Sequence, residues 1–210
     1  MQAITTTQTV MTAQVISGNL TYDGVEFRSW DDTFASTPMI TVPAFLPYLQ
    51  VTFRNSIIDV KGQFFQSMYP VNLKFEKCLF RVGNTTALVT LDYSAGSQYG
   101  CTAANDVNGG DLTIINSNFT DTALTSVLLN PSTPKYLFKV TSLYDITMSN
   151  VIFNGLKQKH ANLFSDHHCT VTPKKVQKLI FDRVKVVDSN FNQVLNFTAF
   201  KSQEVVPSEL

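Results

Sequence analysis

Apolar and polar residues alternate along this chain in a short block that keeps returning. The block LTYDGVEF begins at Leu20, and later copies begin at Val51 (VTFRNSII), Leu73 (LKFEKCLF), Leu112 (LTIINSNF), Ile146 (ITMSNVIF) and Leu179 (LIFDRVKV). All six share one template: apolar, any, apolar, any, turn residue, small or branched residue, any, then Phe, Ile or Val. Their starts lie 31, 22, 39, 34 and 33 residues apart, so the unit repeats while its spacing varies. A repeat on this scale sets the architecture and precedes any local reading.

Positions one and three pair as Leu20/Tyr22, Val51/Phe53, Leu73/Phe75, Leu112/Ile114, Ile146/Met148 and Leu179/Phe181. Residues two apart on a strand share a face, so each copy opens with a short strand buried on one side. Position two is threonine in four of six copies, Thr21, Thr52, Thr113 and Thr147, which suits an outward strand position. Position five is Gly24, Asn55, Lys77, Asn116, Asn150 and Arg183. Gly and Asn tolerate the left-handed backbone that a sharp corner needs. Positions six and eight then turn inward again. Copies stacked as rungs of a parallel ladder would lie about 4.8 Å apart. Phe80, Phe119 and Phe153 would then form one core column, and Asn116 and Asn150 a turn ladder. A further apolar pair follows each copy and predicts a third side: Phe64-Phe65, Leu88-Val89, Val127-Leu128, Leu163-Phe164 and Val194-Leu195.

The strings VTFRNSII, LTIINSNF and ITMSNVIF resemble the repeats of the right-handed parallel β-helix, or pectin-lyase-like, superfamily. The resemblance covers roughly residues 15 to 200. It implies an all-β fold, a right-handed parallel β-helix (β-solenoid) of about six coils forming a single domain over residues 1–210. The extra length between copies is expected to leave as loops, at Thr33–Pro38, Ser94–Gly110, Pro131–Lys135 and Ser165–Lys175, mainly at one corner. Many unrelated activities share such a fold, so function has to be argued from side chains.

Sixteen basic and sixteen acidic residues cancel, and no basic run exceeds two. That leaves no electrostatic footprint for nucleic acid. Charged residues make up 15 %, against roughly 25 % in ordinary soluble chains. Together with abundant Ser and Thr, this points to an extracellular or cell-surface setting. Neither a secretory leader nor a membrane span is expected in the segment, since threonines occupy its first residues. Both ends lie within the repeat without a capping helix. The expectation is therefore a segment of a longer chain, or a unit stacking on its neighbours.

Cys78, at position six, reads as a small inward filler. Cys101 and Cys169 fall in loops at one corner two repeats apart and are candidates for a disulfide if their loops close the gap. His160, Asp166, His167, His168 and Cys169 form the one cluster with metal-ligand chemistry. Their spacing matches no familiar ligand set, so a solvated loop is the simpler reading, and neither metal nor cofactor is expected. Asp31-Asp32 is the sole acidic pair, and no polygalacturonase-type NTD, GHG or RIK string occurs. Outward position four places Arg54 between Asp23 and Glu76, a charge-compensated ladder. Sequons at Asn19, Asn84, Asn118 and Asn196 are candidate glycosylation sites, with Asn118 at outward position seven. Trp30, Tyr93 and Tyr99 lie in or beside loops, where they could stack on sugars.

No residue announces a reaction. The leading reading is a structural or adhesive extracellular module forming a rigid rod or filament. Its partners would be further coils of the same chain or identical neighbours, with glycans as a further ligand class. A polysaccharide-active enzyme or carbohydrate-binding module is the alternative, and an intracellular scaffold the third.

Overall fold

The computed structural model describes residues 2–4, 9–10, 14–29, 37–46, 49–60, 62–82, 87–92, 109–121, 136–141, 144–156, 162–167, 178–189 and 193–196. Their strands group into seven rungs. The first holds β1 (Gln2–Ile4), β2 (Thr9–Val10) and β3 (Gln14–Val15); the second holds β4 (Leu20–Asp23), β5 (Glu26–Ser29) and β6 (Ile40–Val42). The third holds β7 (Gln50–Arg54), β8 (Ile57–Val60) and β9 (Phe65–Ser67), and the fourth β10 (Asn72–Glu76), β11 (Leu79–Val82) and β12 (Ala87–Leu91). The fifth holds β13 (Gly110–Ile115), β14 (Asn118–Asp121) and β15 (Tyr136–Thr141). In the sixth, β16 (Tyr144–Asn154) precedes β17 (Asn162–His167), and in the seventh β18 (Leu179–Val187) precedes β19 (Gln193–Asn196). Each strand pairs in parallel with its counterpart one rung away, as in Leu73↔Leu112↔Ile146↔Leu179.

The architecture corrects the expectation of one right-handed β-helix of about six coils. The strands divide between two parallel sheets that curl as a half-barrel, rather than forming a single solenoid. Among the described residues the larger sheet has twelve strands and the smaller, which runs β19-β17-β15-β12-β9-β6-β3, has seven. The reason lies at position five. β16 passes through Asn150 and β18 through Arg183 without interruption, so pairing continues around the bend. Earlier rungs do the same with single bonds: Gly24 N–H donates to Arg54 O (2.9 Å), Asn55 to Glu76 O (3.0 Å) and Lys77 to Ile115 O (3.0 Å). First and second strands of each rung thus fuse into one folded sheet, while the third strands stand apart.

Two further expectations change. A seventh rung precedes the six copies, with Gln2-Ala3-Ile4 in register with Leu20-Thr21-Tyr22. The insertions are not gathered at one corner either. Segments 30–39 and 122–135 lead into third strands, whereas 92–109 and 168–178 lead back to first strands. In the fifth rung the third strand is Tyr136–Thr141, and Val127-Leu128 lies outside the described residues. Ser165, Asp166 and His167 belong to β17 rather than to a loop.

Aromatic rings organise the interior. Tyr22, Phe53 and Phe75 stack at 5.0 Å centroid spacings, and Phe27 and Phe64 meet Phe53 edge-on. One column along, Phe80 and Phe119 stack at 4.1 Å, and Phe119 and Phe153 at 4.7 Å. All these rings except Tyr22 are fully buried, and Tyr22 is 2 % exposed. Parallel pairing forces like positions to coincide, so a phenylalanine repeated at position eight must meet itself.

The corner carries the strain. Asn55, Lys77, Asn116, Asn150 and Arg183 all have φ between 50° and 54°. For a residue with an ordinary side chain this region costs roughly 1–2 kcal/mol, whereas Asn bonds locally and visits it readily. Asn150 Nδ2 donates to Asn116 Oδ1 at 2.8 Å, linking two corners. Lys77 interrupts that column between Asn55 and Asn116. Lys77→Asn is therefore expected to stabilise the protein by about 1 kcal/mol, raising the thermal midpoint by roughly 2–4 °C. Little is lost electrostatically, because Glu76 is held chiefly by its hydrogen bond from Lys74. A midpoint that stays put or falls would show that the lysine is unstrained.

Candidate functional site: the outer faces and the terminal rung

Two polar columns line the outer face of the first strands. At position four, Arg54 Nη2 and Nε reach Asp23 Oδ2 at 2.7 and 3.2 Å, and Asn55 Nδ2 donates to Asp23 Oδ1 at 2.8 Å. These donors hold the Asp23 carboxyl below its usual range, the Arg54 hydrogen bond contributing most. Glu76 lies one rung beyond Arg54, yet its close partner is Lys74, at 2.9 Å on the same strand. Asp182, at the same position of the last rung, accepts from Ser149 Oγ (2.8 Å) and Arg183 Nη2 (2.9 Å). Each anion named in this column has a cation or hydroxyl beside it. Such a column is charge-compensated.

The second column sits immediately before position one and is invisible in the template. Asn19 Oδ1 accepts from Gln50 N–H (2.8 Å), Asn72 Oδ1 from Asp111 N–H (3.1 Å) and Asp145 Oδ1 from Lys178 N–H (2.9 Å). Each side chain thus caps the next rung's strand, satisfying a donor that the ladder leaves over. The column also sets Asp111 directly against Asp145 on adjacent rungs. Sequence reasoning passed over this pair because Gln50 and Lys178 share the position and hide its pattern. Two stacked carboxylates on an outer face are the nearest approach to acid–base chemistry among the described residues.

Inside the corner, position six holds buried hydroxyls. Ser56 Oγ donates to Arg54 O (2.8 Å) and accepts from Val25 N–H (3.3 Å). Ser117 Oγ repeats this with Ile115 O (2.9 Å) and Cys78 N–H (3.1 Å). Cys78 donates its thiol to Phe53 O at 3.4 Å, and burial pushes its pKa up to about 11. It stays a thiol at neutral pH and is no nucleophile.

The sequons fare differently. Asn118 and Asn19 are exposed, Asn84 lies outside the described residues, and Asn196 belongs to β19, where its backbone pairs with Ser165. Cys101, Cys169, Asp31, Asp32, Trp30, Tyr93, Tyr99, His160 and His168 also lie outside the described residues. Among the described residues no three His, Cys, Asp or Glu side chains gather as a metal site. No helix there is long and apolar enough to cross a membrane.

The last rung differs from those beneath it. Phe153, Met148 and Val151 are fully buried, yet Phe181 and Val184 are half-buried and Val186 is 43 % exposed at the equivalent inner positions. β18 pairs with β16 on one side, and no partner pairs with its other edge among the described residues. Neighbouring Val187 is 42 % exposed. An apolar rim of this kind is a surface on which a further strand can dock. No protein family, curated protein or solved structure matches this chain.

Proposed function

We propose that this chain is a structural or adhesive module of the cell exterior, a stiff stack of rungs that lengthens by pairing at its rim. The single observation supporting this is the exposure of Val186 above the buried Phe153. A rung added there would continue the inner column and pair the outer edge of β18. Burying one such side chain is worth roughly 1.5–3 kcal/mol, before any backbone pairing is counted. The partner is a further rung of the same polypeptide or an identical neighbour. Seven rungs span about 29 Å at ladder spacing, and each docked copy, with its junction, would extend the rod by about 34 Å. The low charge content and the compensated column at position four fit the external setting, and glycans are a further ligand class for the outer faces.

The purified chain is expected to associate reversibly, its mass by light scattering rising with concentration and short rods appearing in electron micrographs. Val186→Lys should weaken association at least tenfold, equivalent to about 1.4 kcal/mol. A chain that remains monomeric at high concentration, with the valine and lysine forms alike, would sink the reading. The stacked Asp111 and Asp145 favour a second reading, a polysaccharide-active or carbohydrate-binding module. Binding or turnover of a polysaccharide that disappears in Asp111→Asn would move the balance towards it.

A further inference from the structure

The outer face of the second strands carries an apolar stripe with one polar residue set into it. Ile57, Leu79, Asn118 and Ile152 are consecutive in register, and the three apolar members are half-buried facing outward. Phe119 is fully buried, which fixes the orientation of β14: Asn118 and Thr120 share the outer face. Asn118 is exposed and is the first residue of the sequon Asn118-Phe119-Thr120. Two independent features therefore meet at one place, an accessible acceptor amide and apolar surface directly above and below it.

We propose that Asn118 carries an N-linked glycan whose first sugars lie along Leu79 and Ile152. The donor class is a lipid-linked oligosaccharide diphosphate. Asn118 Nδ2 gives up a proton to a base and bonds to the anomeric carbon, while the lipid diphosphate leaves with the electron pair of the broken C–O bond. Transfer precedes folding, because Asn118 N–H is committed to Cys78 O at 3.0 Å and β14 is flanked on both edges by β11 and β16. Once the strand is paired, the less polar face of the first sugar covers side chains that would otherwise stay wet. The glycan also closes this flank to sideways contact and leaves the end rim as the docking surface.

The test compares the full chain secreted from eukaryotic cells with its Thr120→Val variant secreted from the same cells. Mass spectrometry of the secreted protein should find glycan on Asn118. Its thermal midpoint should exceed by about 3 °C that of secreted Thr120→Val, which destroys this sequon but keeps Asn118 and every other sequon. The Leu79→Thr, Ile152→Gln double variant should lose at least half of the glycan's effect. A secreted chain unmodified at Asn118 overturns the site. A glycan whose presence leaves the midpoint unchanged, or whose effect survives the double variant, overturns its packing on the stripe. None of these outcomes depends on association at the rim, which is read separately from mass.

Discussion

Phe119→Ala is expected to lower stability by about 3–5 kcal/mol, the range for a fully buried aromatic. Three circumstances place it high in that range. The ring is stacked on both faces, at 4.1 Å from Phe80 and 4.7 Å from Phe153. It also meets Phe138 edge-on at 5.7 Å, which joins the larger sheet to the smaller. And the register prevents collapse, because the rungs above and below are held apart by main-chain hydrogen bonds at fixed spacing. A cavity between fixed rungs cannot close by a small shift, so the full loss of ring contact is felt. Urea unfolding should show a lower midpoint with little change in slope. If the alanine variant does not fold, Phe119→Leu should still report, at under half the loss, because leucine fills much of the space. A loss below about 1 kcal/mol for the alanine variant would mean that the column is not a continuous core.

How much of this was legible beforehand depends on residue type at each position. Positions one, three and eight were readable because large apolar residues recur there at strand period, and the corner because Gly24, Asn55, Asn116 and Asn150 favour left-handed backbone. Lys77 and Arg183 adopt the same φ against their own preference, so at these two places only stacking on neighbouring corners dictates the turn. The joining of two strand sets into one sheet hangs on pairing carried through that single residue, which the alternation of apolar positions does not encode. The first strand of rung one was not legible because Gln2 stands where the other copies have Leu, Val or Ile. The third strand of the fifth rung was misplaced for another reason. Val127-Leu128 and Leu137-Phe138 are equally apolar pairs, and lengthening a loop by ten residues costs too little to choose between them.

The candidate site shows the same division. Register alone put Arg54 between Asp23 and Glu76, and the strands do align so. Which carboxylate the guanidinium would reach depended on Lys74, two residues from Glu76 on the same face and close enough to hold it first. The Asp111–Asp145 pair needed the strand boundary itself, since its column is mixed in type. Recurrence of residue type therefore reveals a column only when every rung has a reason to keep it.

The second large effect is expected at Gly110, where the chain re-enters the first strand set after its longest insertion. Gly110 has φ +114°, and a Cβ built on it would sit 2.3 Å from Val71 O and 2.7 Å from the Val71 carbonyl carbon. Both obstacles are main chain, so no rotamer change relieves them. Nor can Val71 retreat: its N–H donates to Gly109 O (2.9 Å), Asn72 N–H donates to Leu49 O (2.9 Å), and Asn72 Oδ1 accepts from Asp111 N–H (3.1 Å). On the other side Gly110 is in register with Tyr144, which is fully buried and hydrogen-bonded to Tyr69 O (2.9 Å). Gly110→Ala should thus combine backbone strain of about 1–3 kcal/mol with a steric term of similar size. Gly24→Ala and Gly155→Ala supply the comparison. Their φ values, +69° and +73°, are also left-handed, but nothing lies within 4 Å of the added methyl, so strain alone applies, at roughly 1–2 kcal/mol. Thermal unfolding of the three variants should place Gly110→Ala well below the other two, with Asp111 and the Asx column displaced if it folds at all. Equal losses at all three positions would mean that the close approach at Val71 relaxes freely, and that the fourth and fifth rungs are less tightly joined than their hydrogen bonds imply.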